Sequence, residues 1–267
     1  MYDDQEGTHM VKPYDDTTLF CPSGMQKYKS WFPRTMFHDM TVANIQSCIR
    51  MNDFDEIGDA SHLLYFNMIG LFSFREKSVE WAIDFWVEFL TQKLNLKIGY
   101  VTIHSSCGDW IYYYAKHGIA VQVDDANCTW SDGSIGGYCT EFFIDGVEIG
   151  NIVNPLGTCI DVGFGLERLE MFVNGTKNKS KAESLTETIK KIILSGYSPA
   201  PKKQGYVLRK LMRELNNVGG TLDHEFFEQE IERQRKITEK YEKLKEKFSH
   251  MPKEWWYDTH GINLDDI

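Results

Sequence analysis

The sequence predicts an α+β fold: an antiparallel sheet flanked by helices over residues 1–175, then a small helical region over residues 176–267. β-rich segments bounded by turn residues dominate the first part, and an Asp-Gly turn joins two of them. The longest amphipathic segments come last. Strands that precede the helices, rather than alternating with them, are typical of α+β proteins.

The first elements follow from apolar periodicity. Residues 17–20 predict a short strand that leads through Ser23 and Gly24 into a helix over 25–32, and residues 44–74 predict two strands around a polar turn at 52–56. A helix is predicted over 78–95 because apolar residues recur on one helical face. These residues are Val79, Ala82, Ile83, Trp86, Phe89, Leu90 and Leu94.

Short strands are predicted over 100–104 and 119–123, followed by a hairpin over 142–149. Asp-Gly between β-rich runs is the strongest short-range hairpin signal. Further helices are predicted over 165–173, 180–195, 206–217 and 223–248. In the last of these, Glu232 to Lys236 and Glu239 to Lys243 form pairs at i,i+4 spacing, which stabilise helices.

Composition excludes several classes of protein. No apolar run approaches the roughly 20 residues that a membrane-spanning helix needs, and the first residues lack the pattern of a signal peptide. The six cysteines include no C-x-x-C pair, so we expect no structural zinc and reduced thiols in a cytoplasmic protein. A net charge of −10 disfavours diffuse nucleic-acid binding, so any contact with a polyanion must be local.

The segment 161–168 (D-V-G-F-G-L-E-R) is the most informative in the chain. It places Asp161, two glycines and Arg168 at one predicted junction between a strand and a helix. Glycine lets a ligand approach the main chain closely, and a helix N-terminus favours negative charge. Asp161 would favour an ammonium group and Arg168 a phosphate, as an aminoacyl-adenylate provides. The alternative is an ordinary glycine turn with a surface arginine.

Other candidates lie on neighbouring predicted strands. Arg50 ends one strand and Tyr65-Phe66 lies on the next, so a guanidinium and a ring could hold phosphate and base. Trp130 opens a glycine-rich stretch that could cover a ligand. Strict alternation places Asn151 on the face opposite Glu148, and a bulge would change that phase. Each of these residues could equally be structural.

Taken in order, these segments resemble alanyl-tRNA synthetase, a class II aminoacyl-tRNA synthetase. Residues 161–168 resemble its motif D-T-G-M-G-L-E-R, and residues 48–58 resemble C-[VI]-R followed by N-D-L-x-x-V-G. Residues 62–74 resemble H-H-T-F-F-E-M-L-G-N-F-S-F, and residues 148–153 resemble E-I-W-N-L-V. Similar matches occur at 16–29, 205–210 and 257–262.

The resemblance implies a class II antiparallel sheet, the substrates ATP and alanine, and Mg²⁺ as a cofactor. It assigns the ATP site to Arg50, Asp53, Tyr65 or Phe66, Glu148 and Arg168, with Glu148 as a magnesium ligand. It assigns the amino-acid site to Met68, Trp130, Asn151, Val153, Asp161 and Gly163. It implies tRNA(Ala) as the acceptor, with contacts from Arg209, Lys210, Arg213 and Asp258.

The chain departs from the family pattern at several positions. Ser61 stands where the family has Arg, and Asn67 stands where it has Glu. Gly150 replaces a Trp, which we expect to enlarge the amino-acid pocket. The region between the last two matching segments is short, so the resemblance implies a miniature form without editing or C-terminal domains.

Three hypotheses follow. The first is a synthetase that activates alanine and charges tRNA. The second is a ligase that passes a small amino acid to a carrier protein, a peptide or a metabolite. The third is a paralogue that keeps the fold without catalysis.

Overall fold

The computed structural model describes residues 2–3, 8–59, 61–131 and 133–264. The chain divides into two compact units, Met1–Lys179 and Ser180–Ile267. Asp132, in the glycine-rich stretch after Trp130, lies outside the described residues. In the described part of the chain, no helix has the length and apolar character to cross a membrane.

The first unit is built on one sheet of nine strands among the described residues. The strands are β1 Tyr2–Asp3, β2 Met40–Ile49, β3 Tyr65–Phe74, β4 Tyr100–Ile103, β5 Val121–Val123, β6 Thr129–Ser131, β7 Gly136–Ile144, β8 Val147–Pro155 and β9 Cys159–Gly165. Their order is β1-β2-β3-β9-β8-β7-β4-β5, with β6 paired to β7. Only β1 with β2 and β4 with β5 pair in parallel in this part of the structure. The predicted antiparallel sheet is therefore confirmed.

Helices of the first unit are α1 Val79–Glu88, α2 Trp110–Ala115 and α3 Leu166–Asn174, with 3-10 helices at Gly24–Trp31, Met51–Asp53 and Ser105–Cys107. A π-helical turn, Phe89–Lys93, extends α1 and completes the predicted helix over 78–95. The predicted hairpin is also confirmed. Asp145 and Gly146 have φ values of 50° and 80°, as a two-residue turn with both central residues left-handed requires.

The two faces of the sheet have different partners. One face packs against α1 and α2 in the main apolar core, where Trp86 stacks on Phe164 with ring centroids 4.5 Å apart. On the other face, Phe72 and Phe74 pack against the 3-10 helix at 24–31. That second face also carries Asp161, because alternate residues of a strand point to opposite sides.

The predicted strand over 17–20 does not form, and the helix predicted over 25–32 is a 3-10 helix instead. Local side-chain bonds replace strand pairing in this segment. The Thr18 hydroxyl donates to the Phe20 carbonyl at 2.7 Å, and Asp15 accepts from the backbone of Thr17 at 2.9 Å. Threonine and aspartate commonly stabilise turns in this way.

The second unit contains α4 Lys181–Leu194, α5 Lys203–Asn217, α6 Glu225–Phe248 and α7 Lys253–His260. The first three confirm the predicted helices, and α7 was not predicted. α7 forms because Trp256, only 2% exposed, packs its ring 5.0 Å from that of Tyr241. The predicted Glu232–Lys236 pair forms at 3.2 Å, whereas Glu239 pairs with Arg235.

Candidate active site

A cavity of about 230 Å³ opens on the second face of the sheet. Segments far apart in sequence meet there because β3, β9 and β8 are neighbours. Most of the site residues predicted in the first unit line this cavity: Arg50, Asp53, Phe66, Met68, Trp130, Glu148, Asn151, Val153, Asp161, Gly163 and Arg168. The structure thus brings these predicted residues together at one cavity.

Asp161 is a buried carboxyl group in the wall of the cavity. It lies on β9 between Phe72 of β3 and Val153 of β8, and 8% of the residue is exposed. Among the described residues, none donates a hydrogen bond to its carboxylate. Burial raises the pKa of Asp161 to about 7. A cationic group placed beside it would restore the charged form, so this position suits an ammonium group.

The surroundings of Asp161 are largely apolar. Val153, Trp130 and Met68 line the same cavity. A Cβ atom at Gly163 would lie 3.0 Å from the Met68 sulfur, so glycine leaves room there for the methionine side chain. An apolar wall around one buried carboxyl group fits a small amino acid better than a large polar one.

Arg50 and Phe66 form a second group at the cavity. The guanidinium carbon of Arg50 lies 5.1 Å from the centroid of the Phe66 ring, and its Nε donates to the Pro22 carbonyl at 3.0 Å. Tyr65, the other aromatic candidate, does not line the cavity. It is buried, with its hydroxyl 3.2 Å from Ser47 Oγ, so of these two candidates it is Phe66 whose ring lines the cavity.

Arg168 is held at the cavity by two main-chain carbonyls. Its Nε donates to Ser61 at 3.1 Å, and a terminal nitrogen donates to the Glu148 carbonyl at 2.8 Å. The Glu148 carboxylate lies 3.7 Å from the same terminal nitrogen. These contacts orient the guanidinium before any ligand arrives, and its remaining donors suit a phosphate.

A β-bulge places Glu148 on the same face as Asn151. Phe142 pairs with Gly150 and Phe143 with Glu148, so Ile149 is an extra residue in β8. Ile149 joins the core on the helix-covered face, and Glu148 turns to the cavity. Strict alternation is therefore broken here, as a bulge would require.

Gly150 does not enlarge the cavity as expected. A Cβ atom at this position would lie 2.4 Å from the Phe164 ring and 2.5 Å from the Gly163 carbonyl oxygen. The space beside Gly150 is therefore occupied by the core. The bulge directs both Ile149 and Gly150 to the helix-covered face of the sheet, and at Gly150 there is no room for a side chain.

The residues present fit a magnesium ion that takes one ligand from the protein and the others from a bound phosphate. Glu148 supplies one carboxylate at the cavity, and Glu141, on β7, lies close enough for their charges to repel. Burial first, and the Glu148 charge second, raise the pKa of Glu141 to about 7. In the described part of the chain, no cluster of three or more acidic, histidine or cysteine side chains could hold a metal. Mg²⁺ usually combines few carboxylates with phosphate oxygens.

Several cavity residues were not predicted, including Ser23, Met25, His62, Leu63 and Glu167. Glu167 could have been found because it lies next to Arg168 in the glycine-containing motif. His62 is fixed by Asp59, whose carboxylate lies 2.5 Å from Nδ1, and by Glu56 at 3.0 Å from Nε2. No pattern in the sequence indicated that pairing.

The two arginines predicted to contact tRNA both form ion pairs with the buried Glu230. Arg209 and Arg213 donate to Glu230 at 2.9 and 2.8 Å, and Glu230 is 3% exposed. A phosphate contact by either arginine would have to break this pairing. Lys210 is exposed on α5, and Asp258 is exposed on α7.

A buried carboxyl group, two oriented arginines and an aromatic ring thus line one cavity of an antiparallel sheet. Residues 6–155 match the family described as tRNA synthetases class II (A), and the chain belongs to that family. The resemblance to alanyl-tRNA synthetases is confirmed by curated relatives. An alanine–tRNA ligase of Francisella tularensis subsp. novicida is 28% identical, over 80% of this chain and 34% of its own length. The corresponding ligase of Endomicrobium trichonymphae is 28% identical, over 79% and 32%.

The chain thus spans about a third of the length of these relatives. Among solved structures, an apo histidyl-tRNA synthetase of S. aureus is similar, with a TM-score of 0.41 and 12% identity over 75% of this chain and 73% of that one. A pyrrolysyl tRNA synthetase of Desulfitobacterium hafniense is similar with a TM-score of 0.37 and 17% identity, over 60% and 51%.

Proposed function

We propose that the chain activates alanine with ATP and transfers it to the 3′ end of a tRNA. The observation that carries this proposal is the buried Asp161, which lacks a hydrogen-bond donor among the described residues and shares its cavity with Arg50 and Arg168. A ligand with an ammonium group at one end and phosphates at the other satisfies all three side chains.

In the proposed reaction the alanine carboxylate attacks the α-phosphate of ATP and pyrophosphate leaves. Asp161 binds the ammonium group, while Val153, Trp130 and Met68 enclose the methyl group. Catalysis by such a site consists mainly of positioning the reactants and stabilising charge. No protein nucleophile is required.

Arg50 and Arg168 hold the phosphates on which negative charge develops, and Phe66 provides a surface for adenine. Arg168 is already oriented by two carbonyls, so little order has to be gained when ATP binds. Glu148 would hold Mg²⁺, which neutralises phosphate charge when bound.

The second candidate function is transfer of the activated amino acid to an acceptor other than tRNA. The ion pairs of Arg209 and Arg213 with Glu230 favour it, because they remove two of the basic residues expected to contact tRNA. In that case the same adenylate would pass a small amino acid to a carrier protein, a peptide or a metabolite. Exposed Lys210 and Asp258 leave tRNA as the first candidate.

Amino-acid-dependent exchange of labelled pyrophosphate into ATP tests the activation step. We expect exchange with alanine, and Asp161→Asn should abolish it. Asp109→Asn is the matched control, because Asp109 is exposed and its side chain does not cap α2. Absence of exchange with alanine, serine and glycine would reject both enzymatic candidates and leave a non-catalytic paralogue.

Charging of tRNA transcripts then separates the two acceptors. Incubation of the chain with ATP, labelled alanine and tRNA(Ala) transcript should give labelled tRNA. Exchange without charging of any transcript would reject tRNA as acceptor. The rates with serine and glycine, measured beside alanine, define the specificity of the pocket.

A further inference from the structure

Asn67 lies where the pairing between β3 and β9 ends. The last paired residues are Met68 and Gly165, and β9 then gives way to α3. Asn67 still pairs with Ser47 of β2, but on the side that faces β9 its backbone N–H has no strand partner. It donates instead to both carboxylate oxygens of Glu167, at 3.0 and 2.9 Å. The side chain of Glu167 thus continues the ladder after its own backbone has turned into a helix.

The side chain of Asn67 strengthens this contact. Its Nδ2 donates to Glu167 at 2.8 Å, and its Oδ1 accepts from Ser47 at 2.9 Å and from Tyr65 at 3.1 Å. The two hydroxyl groups fix the orientation of the amide, so that its donor faces the carboxylate. Tyr65 therefore acts on the site through Asn67 and not by contact with a ligand.

We propose that Asn67 is a positioning residue for Arg168. By holding Glu167, it fixes the first turn of α3 against β3, and Arg168 is the next residue of that turn. The inference rests on the proposed function only in assigning ATP phosphate to Arg168. The placement of the Arg168 guanidinium against Ser61 and Glu148 is a property of the chain itself.

The charges at this junction explain why an amide is required. Burial raises the pKa of Glu167 above its usual value, and the hydrogen bonds from Asn67 offset part of this increase. A carboxylate at position 67 would face that of Glu167 at hydrogen-bond distance, so the two groups would share a proton at low pH and repel each other once both are ionised.

The test uses Asn67→Asp, which keeps the size of the side chain. At pH 8.5 two carboxylates would repel, and we expect ATP to bind at least tenfold more weakly than to the unsubstituted chain, measured by calorimetry. At pH 6, with a proton shared, the difference should shrink to within about threefold. The double variant Asn67→Asp/Glu167→Gln restores an amide–carboxylate pair and should recover binding at pH 8.5.

Asn154→Asp is the matched control. Asn154 donates to the Cys159 carbonyl at 2.7 Å outside the cavity lining, so this change should lower stability without a pH-dependent loss of ATP affinity. If Asn67→Asp weakens binding equally at both pH values, or the double variant is not rescued, the positioning role is wrong.

A measurement without ligand keeps the two proposals separable. The Nε–H resonance of Arg168 in arginine-labelled protein should shift or broaden in Asn67→Asp at pH 8.5 and return in the double variant. Arg209, whose Nε donates to Glu230 at 2.9 Å, is the internal reference. An unsubstituted chain that fails to bind ATP would reject the proposed function. An Arg168 resonance that Asn67→Asp leaves unchanged would reject this inference.

Discussion

The ammonium-binding role proposed for Asp161 comes with a cost to stability. Its pKa is raised in the folded chain, so its contribution to stability is fully present below about pH 4, the unfolded pKa, and is lost as the pH rises through about 7. At higher pH the folded chain must hold a buried negative charge without a donor among the described residues. A ligand ammonium group would remove that cost.

We predict that Asp161→Asn stabilises the chain at pH 8 while abolishing alanine-dependent exchange. The unfolding free energy of the unsubstituted chain should fall between pH 4.5 and 8 relative to that of the variant, by about 3 kcal/mol. Urea unfolding at both pH values measures this. If the unfolding free energies of the two proteins changed equally with pH, Asp161 could not have a raised pKa in the folded chain.

Arg168→Lys keeps the positive charge but should still weaken ATP binding strongly. A lysine cannot reach the Ser61 and Glu148 carbonyls and a phosphate with one ammonium group, so we expect KM for ATP to rise about tenfold or more. Steady-state exchange at varied ATP measures it. Arg75→Lys is the control, because Arg75 also binds main-chain carbonyls, at Phe32 and Phe37, but does not line the cavity.

At the scale of single elements, β8 depends on both its bulge and Gly150. We predict that Gly150→Ala costs about 1–3 kcal/mol, because its Cβ would overlap the Phe164 ring. Gly108→Ala is the control, since the nearest atom to a Cβ there is 4.0 Å away. Denaturant midpoints compare the two, and equal midpoints would show that β8 adjusts without strain.

Elements with a local signal were predictable from the sequence. Asp145-Gly146 encodes its own turn, and the apolar stripe of α1 encodes its buried face. Elements that depend on distant partners were not. α7 forms around Trp256 because Tyr241 lies against it, and residues 17–20 remain irregular because local side-chain bonds compete with a strand.

The candidate site followed the same division. Asp161, Arg168 and Gly163 stand in one motif and were predictable together. Glu167 stands in that motif too, but its contact with Asn67 spans 100 residues and has no sequence signal. Whether Tyr65 or Phe66 faces the cavity depended on the phase of β3.

At the scale of the whole molecule, the acidic chain uses basic residues to stabilise a buried carboxylate. Three arginines, Arg209, Arg213 and Arg233, contact Glu230 in the second unit. Burial opposes the charge of Glu230, but the hydrogen bonds and charges of the arginines lower its pKa. Its contribution to stability is therefore present above its unfolded pKa and is lost as the pH falls through the folded value.

We predict that Glu230→Gln destabilises the second unit by about 3 kcal/mol at pH 7, since it leaves the buried Arg213 guanidinium without its carboxylate partner. The difference from the unsubstituted chain should shrink at acidic pH. Glu232→Gln is the control, because the ion pairs of Glu232 with Arg235 and Lys236 are exposed and should contribute far less to stability. Circular dichroism melts compare them, and similar losses for both variants would contradict the buried network.

Because Ile149 is an extra residue in β8, the effect of a one-residue deletion on the direction of the side chains depends on where in the strand it falls. Loss of the Ile149 codon would leave every other side chain of β8 on its present face, because the remaining residues then alternate. Loss of one codon between 151 and 154 would instead invert the residues beyond the gap. A shorter natural or engineered version of this strand should therefore lack Ile149 and keep its orientation toward the cavity.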